Sequence, residues 1–155
     1  MTVSPDDSDF HRGIDLFNRA HFFDAHEVLE DVWRSIPRDG PRDRPSSRHL
    51  RLHVQGLVQL AVAFHHASKD NRVGARSVLE RALRNLEGAD SSFPELDLDR
   101  LRTELAPWQR FLNNPEGTGA KARAKKDEKK GQRKLDGPDA RRHATPALPK
   151  IMRRR

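Results

Sequence analysis

The chain has 155 residues, of which 34% are hydrophobic and 34% charged, enough for one domain of ordinary size but rich in charge for a chain that is folded throughout. It contains no cysteine, which excludes a disulfide framework, a thiolate nucleophile and a cysteine-ligated zinc site. The formal charge of +7 is unevenly placed: residues 116–155 hold 14 Lys and Arg against 5 Asp and Glu, a net of +9, and residues 1–115 are left at −2.

The first ten residues, MTVSPDDSDF, are acidic and have no apolar run, and the longest strongly apolar stretch, Gly56 to Phe64, is interrupted by Gln59. Neither a signal peptide nor a membrane span is expected, and the cytoplasm is the expected location. Ser4 reads as an N-cap with Pro5 at the first helical position and Asp6 and Asp7 near the positive end of the dipole, opening a first helix that runs to about Arg19. Phe10, Ile14 and Phe17 lie at i, i+4 and i+7, giving it one buried face.

A break at Ala20-His21 leads into a second helix, FFDAHEVLEDVWR, which must end before Pro37. Two helices joined this tightly pack as an antiparallel hairpin. At about 100° per residue, Val28, Val32, Ala25, Leu29, Phe22 and Trp33 form one apolar arc, with His26 and Glu30 next along it before Phe23. Two ionisable groups are therefore expected to be partly or wholly desolvated. Such groups are costly to bury unless they hydrogen-bond, pair or bind something, which makes this helix the first place to look for a site.

Residues 37–47, PRDGPRDRPSS, read as a loop, with Ser46 or Ser47 capping a third helix that extends to about Ser68. Apolar residues from Leu50 to Phe64 spread around most of its circumference, the mark of a central helix. Gly56 in its middle costs about 1 kcal/mol relative to alanine, which a close backbone crossing would explain. Asn71 reads as the N-cap of a fourth helix carrying Ala75, Val78, Leu79, Ala82 and Leu86, stopped by Gly88. A fifth segment, Asp97 to about Leu112, should be kinked or split by Pro107. Nothing alternates like a strand. The expected fold class is thus all-α, a compact antiparallel bundle of about five helical segments over residues 4–113. Residues 114–155 read as a disordered basic tail.

Three constellations carry chemistry. His26-Glu27-x-x-Glu30 has the outline of the H-E-x-x-H metalloprotease helix with Glu30 in place of the second histidine. A catalytic zinc site needs a third protein ligand, and the central helix is where one would come from. There Gln55, Gln59 and His66 form a polar stripe at i, i+4 and i+11, while His65 sits in an apolar arc between Val54 and Val58. Packing the second helix across either intrusion would create a small polar network or line a pocket, and a network that only fixes helix register is the commoner outcome. Trp33 fits the core or a stacking wall, and Arg34 pairs with Glu30 at i, i+4 or clamps an anion at a pocket mouth. The basic tail, Lys121 to Arg155, favours salt-dependent, sequence-independent contact with nucleic acid and has no aromatic side chain on which to stack bases. Serine nucleophile motifs, phosphate-binding glycine loops and dinucleotide fingerprints are absent.

The segments FNRAHFFDAHEVLEDVWR and HVQGLVQLAVAFHH, followed by DNRVGA, resemble the bacterial and archaeal domain of unknown function family 309. That family is built around an (E/D)AHE-x-LE-x-x-W helix and a QG-(L/I)-(I/V)-Q-x-A-x-A-x-x-H helix. The resemblance covers about residues 10–90 and implies a compact all-α bundle. Its motif positions fall here on His26, Glu27, Leu29, Glu30 and Trp33, and on Gln55, Gly56, Gln59 and His65. It implies no reaction, favours His65 over His66 as partner of the His26 and Glu30 face, and makes the 37–47 loop and the tail look like additions to a shorter core.

The expected function is a non-enzymatic binding or interaction module for a small ligand or a protein, around a polar pocket or network of His26, Glu27, Glu30, Trp33, Arg34, Gln55, Gln59 and His65, with no cofactor. One alternative is a metal-assisted hydrolase with a divalent ion on His26, Glu30 and His65 and Glu27 as base. The other is nucleic-acid association through the tail.

Overall fold

The computed structural model describes residues 8–38, 45–114 and 145–155. Five α-helices follow one another: α1 (Ser8–Asn18), α2 (Phe22–Ser35), α3 (Pro45–Ser68), α4 (Arg72–Asn85) and α5 (Leu98–Asn113), with a short 3-10 turn at Ala89–Ser91. The all-α bundle of five helical segments expected from apolar spacing is the observed architecture. The proposed cap and first turn at residues 4–7 lie outside the described residues, as does most of the loop at 37–47. Pro45 itself opens α3, so Ser46 and Ser47 stand inside its first turn and do not cap it. A proline fits there because its missing N–H would be unpaired in any helix start.

The helices pair as two antiparallel hairpins joined along α2 and α3. Phe17 meets Phe22 edge-on across the first turn, and Phe22 and Phe64 pack with ring centroids 5.5 Å apart across α2 and α3. Both tight turns place a non-glycine residue in the left-handed region, Ala20 at φ 64° and Asp70 at φ 59°. Asn71 caps α4 through its side chain, which accepts from the Gly74 amide at 3.0 Å. The central helix is α3, whose buried residues Val54, Leu57, Leu60, Ala61 and Phe64 face helices on more than one side.

Gly56 is the close crossing expected of it. A Cβ there would lie 2.8 Å from Leu86 Cγ and 3.2 Å from the Ala82 carbonyl oxygen on α4. Helix α5 runs unbroken through Pro107, so that of the kink or split expected there the split does not occur. A proline removes one backbone hydrogen bond, and the burial of Leu101, Leu105, Trp108 and Leu112 along one face offsets that loss.

The last eleven residues depart from the expectation of a disordered tail, while the rest of that tail, 115–144, lies outside the described residues. Residues 145–155 lie extended against α1, α5 and the segment before α5. Ile151 is only 2% exposed within the core, Leu96 and Arg153 form an isolated antiparallel bridge, and the Asp97 and Arg154 amides donate to the Met152 and Glu95 carbonyls at 2.8 Å.

Candidate functional site

Helix α2 buries Phe22, Ala25, Leu29 and Val32 and leaves its neighbouring edge half open. On that edge His26 Nε2 lies 3.1 Å from Glu30 Oε2, and Arg34 Nη2 lies 2.6 Å from Glu30 Oε1, so one carboxylate joins an imidazole and a guanidinium along successive turns. The His26 and Glu30 side chains are 27% and 28% exposed, on the rim of the bundle and not in its core. Glu27 points to solvent. Screened by water, such a ladder is worth at most about 1 kcal/mol.

Trp33, one turn on, is half-buried. The Arg51 guanidinium of α3 stacks 3.9 Å from its ring centroid, and the same Arg51 donates to the Trp33 and Ile36 carbonyls at 3.1 and 2.6 Å. Arg51 thus satisfies carbonyls left unpaired at the end of α2 and covers the indole face that a ligand would have used. The indole N–H has no hydrogen-bond partner among the described residues.

The polar positions of α3 divide between two neighbours. Gln59 accepts from Asn85 of α4 at 2.7 Å, and His66 Nδ1 lies 3.2 Å from Asn71 Nδ2, so the Gln59 and His66 part of the stripe addresses α4. Gln55 is half-buried on the same helix. His65 addresses α2 instead, although not the His26 and Glu30 side chains with which the family resemblance paired it. Its partner there is the Phe23 ring, 5.5 Å between centroids, and Phe23 in turn lies 6.2 Å from the His26 ring. No three or more His, Asp or Glu side chains among the described residues are placed to hold a metal ion, so His26, Glu30 and His65 do not form the ligand set that the hydrolase alternative requires.

Beside this aromatic contact the bundle opens into a cleft of about 240 Å³ at the end where α2 begins and α3 finishes. Phe23, His65, His21, Lys69 and Asp24 are among its walls. Phe23 is 51% exposed, a large apolar ring standing in water beside two imidazoles. His21 occupies the N-cap position of α2 and makes no capping hydrogen bond through its side chain.

One polar core residue escaped the sequence reading. His53 is 4% exposed, with Nδ1 2.6 Å from Ser92 Oγ and Nε2 3.1 Å from the Glu87 carbonyl. The carbonyl can only accept, which puts the proton of the neutral ring on Nε2 and makes Ser92 the donor to Nδ1. Burial pushes the imidazole below its ordinary pKa of 6.5, against the raising effect of the Glu87 carbonyl. The signal was present: His53 precedes Leu57, Leu60 and Phe64 by 4, 7 and 11 positions, the spacing of the buried stripe itself.

At the C-terminal segment, Asn18 donates to the Ile151 carbonyl at 2.9 Å and accepts from the Ile151 amide at 2.8 Å. Trp108 Nε1 donates to the Ala147 carbonyl at 2.9 Å, and Arg154 reaches Asp90 at 3.2 Å and the Leu96 carbonyl at 3.1 Å. The Arg102 hydrogen bond holds the Asp90 carboxyl below its ordinary range; burial works against this, and the charges of Arg102 and Arg154 add to it. Burial pushes Glu104 upward, yet hydrogen bonds from the Lys150 amide and Arg100 leave it below its ordinary value. Arg154 is therefore engaged within the chain, although the tail reading assigned it to a nucleic-acid contact. Among the described residues no helix is long and apolar enough to cross a membrane.

The model of a domain of unknown function, DUF309, matches residues 10–78, which span α1 to α3 and the first half of α4. The chain is 31% identical over 81 residues to the uncharacterized protein YpuF of Bacillus subtilis (strain 168), a match covering 52% of this chain and 41% of that protein. An uncharacterized protein of Aquifex aeolicus (strain VF5) is 25% identical over 89 residues, covering 57% of this chain and 24% of its own length. The chain thus spans less than half the length of either relative. No solved structure matches it significantly. Phe23, His26, Glu30 and His65 all lie within the matched segment, whereas α5 and the C-terminal segment lie beyond it. Over residues 10–78 this chain is thus similar to the DUF309 family.

Proposed function

We propose that this protein is a non-enzymatic binding module whose ligand enters the cleft between the start of α2 and the end of α3. The observation that carries the reading is Phe23, half in water, packed against the His65 and His26 rings at the edge of an open cleft. A single exposed aromatic is unremarkable on a protein surface, but one set among imidazoles beside a concave opening combines an apolar wall with polar groups that fix orientation. Lys69 and the positive end of the α2 dipole favour an anionic group at the same end, which the Asp24 carboxylate opposes in part. The ligand class that fits is an aromatic or apolar group carrying a carboxylate, free or on the side chains of a protein partner.

Of the other residues read from the sequence, Glu30 and Arg34 extend the polar rim beside His26, and Trp33 and Gln59 serve the helix packing through Arg51 and Asn85. Glu27 and Gln55 stand nearest the ligand reading only by their place on α2 and α3. The test is an amide NMR map of the full chain titrated with phenylacetate, benzyl alcohol and benzylamine. The reading predicts shifts confined to residues around Phe23, His65 and Lys69, largest for the carboxylate and lost in Phe23→Ala. Shifts that scatter over the surface, or that survive Phe23→Ala, contradict it.

A further inference from the structure

Two opposite charges line the same small cleft. Asp24 stands in the first turn of α2 and Lys69 directly follows the last residue of α3, and both belong to the walls that Phe23 and His65 share. They do not pair with each other, and neither side chain has an ion-pair partner among the described residues. The next carboxylate on the same edge of α2, Glu30, is by contrast taken up by His26 and Arg34. A simple anion in the cleft would be drawn to Lys69 and repelled by Asp24, and a simple cation the reverse. A small ligand that carries both charges can set each against its opposite wall.

The backbone beneath both walls is fixed by the same kind of turn. The His21 amide donates to the Leu16 carbonyl and the Asn71 amide to the His66 carbonyl, both at 2.9 Å, with Ala20 and Asp70 just before them in the left-handed region. The Phe23 and His65 rings meet at 5.5 Å between the two turns, so the start of α2 and the end of α3 keep one spacing. Across it Lys69 carries its ammonium on a flexible four-carbon stem, while Asp24 is held short on the helix. The cleft measures about 240 Å³, and pockets for drug-sized molecules begin at about 300 Å³, so the occupant is smaller than those.

We infer that the cleft takes a free α-amino acid with an aromatic or large apolar side chain, bound as its zwitterion. Asp24 receives the ammonium, Lys69 the carboxylate, and the side chain lies on the exposed face of Phe23. This rests on the binding reading of the same cleft and narrows its ligand class. A residue within a peptide has lost both charges to peptide bonds and a chain terminus keeps one, so the pair of opposite walls selects the free amino acid over a peptide. Asp24 thereby changes from a charge that weakens anion binding to the group that sets specificity.

The experiment titrates the full chain at neutral pH with three probes that share a phenyl ring and differ in charge: L-phenylalanine, 3-phenylpropionate, which lacks the ammonium, and phenethylamine, which lacks the carboxylate. Amide NMR shifts give each Kd, and L-phenylalanine should bind at least about fivefold more tightly than either of the others. Asp24→Asn should erase its advantage over 3-phenylpropionate, and Lys69→Met its advantage over phenethylamine. Both side chains are exposed, so the variants should keep their helices, which circular dichroism checks. L-phenylalanine that binds no better than 3-phenylpropionate, or a preference that survives Asp24→Asn, overturns the inference and leaves the cleft as a site for simple carboxylates. If none of the three probes moves the amides around Phe23 and His65, the binding reading fails and this inference with it.

Discussion

His53 and Ser92 are joined by a 2.6 Å hydrogen bond in which the hydroxyl donates to the unprotonated Nδ1 of a buried imidazole, and this pair ties α3 to the turn that follows α4. The ring's other nitrogen holds the Glu87 carbonyl, so both ends of the only fully buried histidine among the described residues are satisfied.

The first prediction concerns this pair and pH. The folded chain holds His53 neutral, whereas the unfolded chain protonates it near its ordinary value of 6.5. The unfolded state therefore binds more protons as pH falls. The stabilising contribution is complete above 6.5 and is lost as pH falls toward the depressed folded value. Urea midpoints at about pH 7.5 and about pH 5.5 should differ in the wild type and differ less in His53→Leu. At the higher pH that substitution should cost about 1–3 kcal/mol, because it leaves the Glu87 carbonyl and Ser92 hydroxyl without their partner.

Gly56→Ala should destabilise the protein even though alanine favours helix. The propensity gain is about 1 kcal/mol, whereas the added methyl would sit 2.8 Å from Leu86 Cγ and 3.2 Å from a backbone oxygen that cannot swing aside. Overpacking of this kind costs about 1–3 kcal/mol and should appear as a lowered Tm in calorimetry.

The His26, Glu30 and Arg34 ladder should matter little to folding. Glu30→Gln removes the carboxylate that both His26 and Arg34 contact, yet the groups are substantially hydrated, so the loss should stay below about 1 kcal/mol and shrink further in high salt. A chemical denaturation series at two salt concentrations reads this directly.

Acid should loosen the C-terminal segment before it unfolds the helices. Asp90 and Glu104 have folded pKa values below their ordinary 3.8 and 4.5, so their hold on Arg154 and the Lys150 amide is fully present above those values. It is lost as pH falls through the lower folded values. Amide exchange at Ile151 and Arg154 should accelerate, relative to core amides of α3, as pH is lowered across that range. Asn18→Ala, which removes both bonds to Ile151, should produce the same local acceleration at neutral pH.

Much of the helical frame was legible because it is local chemistry. Phe10, Ile14 and Phe17 share a face at helical spacing, Asn71 has the side chain a cap needs, and Gly56 marks a crossing that only a missing Cβ permits. Pro107 misled for the complementary reason: one lost backbone bond is visible in the sequence, while the apolar face of α5 that outweighs it acts only once packed. The wheel placed His26 and Glu30 correctly on the border of the apolar arc of α2, but the width of the buried arc is set by how α1 and α3 cover it, and they stop at Leu29 and Ala25. The wheel of α3 offered His65 and His66 alike and only the family resemblance favoured His65, whose contact with Phe23 joins residues far apart in the chain. Ile151 could not be found from periodicity at all, since it sits in an extended proline- and arginine-rich stretch and its backbone is held by Asn18, 133 positions earlier.

The His65 ring itself offers the most direct test of the binding cleft, read through its carbon-bound proton resonances as phenylacetate is added to the full chain. A saturable shift of the His65 signals in the wild type, absent from Phe23→Ala and with the buried His53 signals unmoved, is the predicted result. His65 signals that stay still, or that move equally in Phe23→Ala, would contradict a ligand site at this end of the bundle.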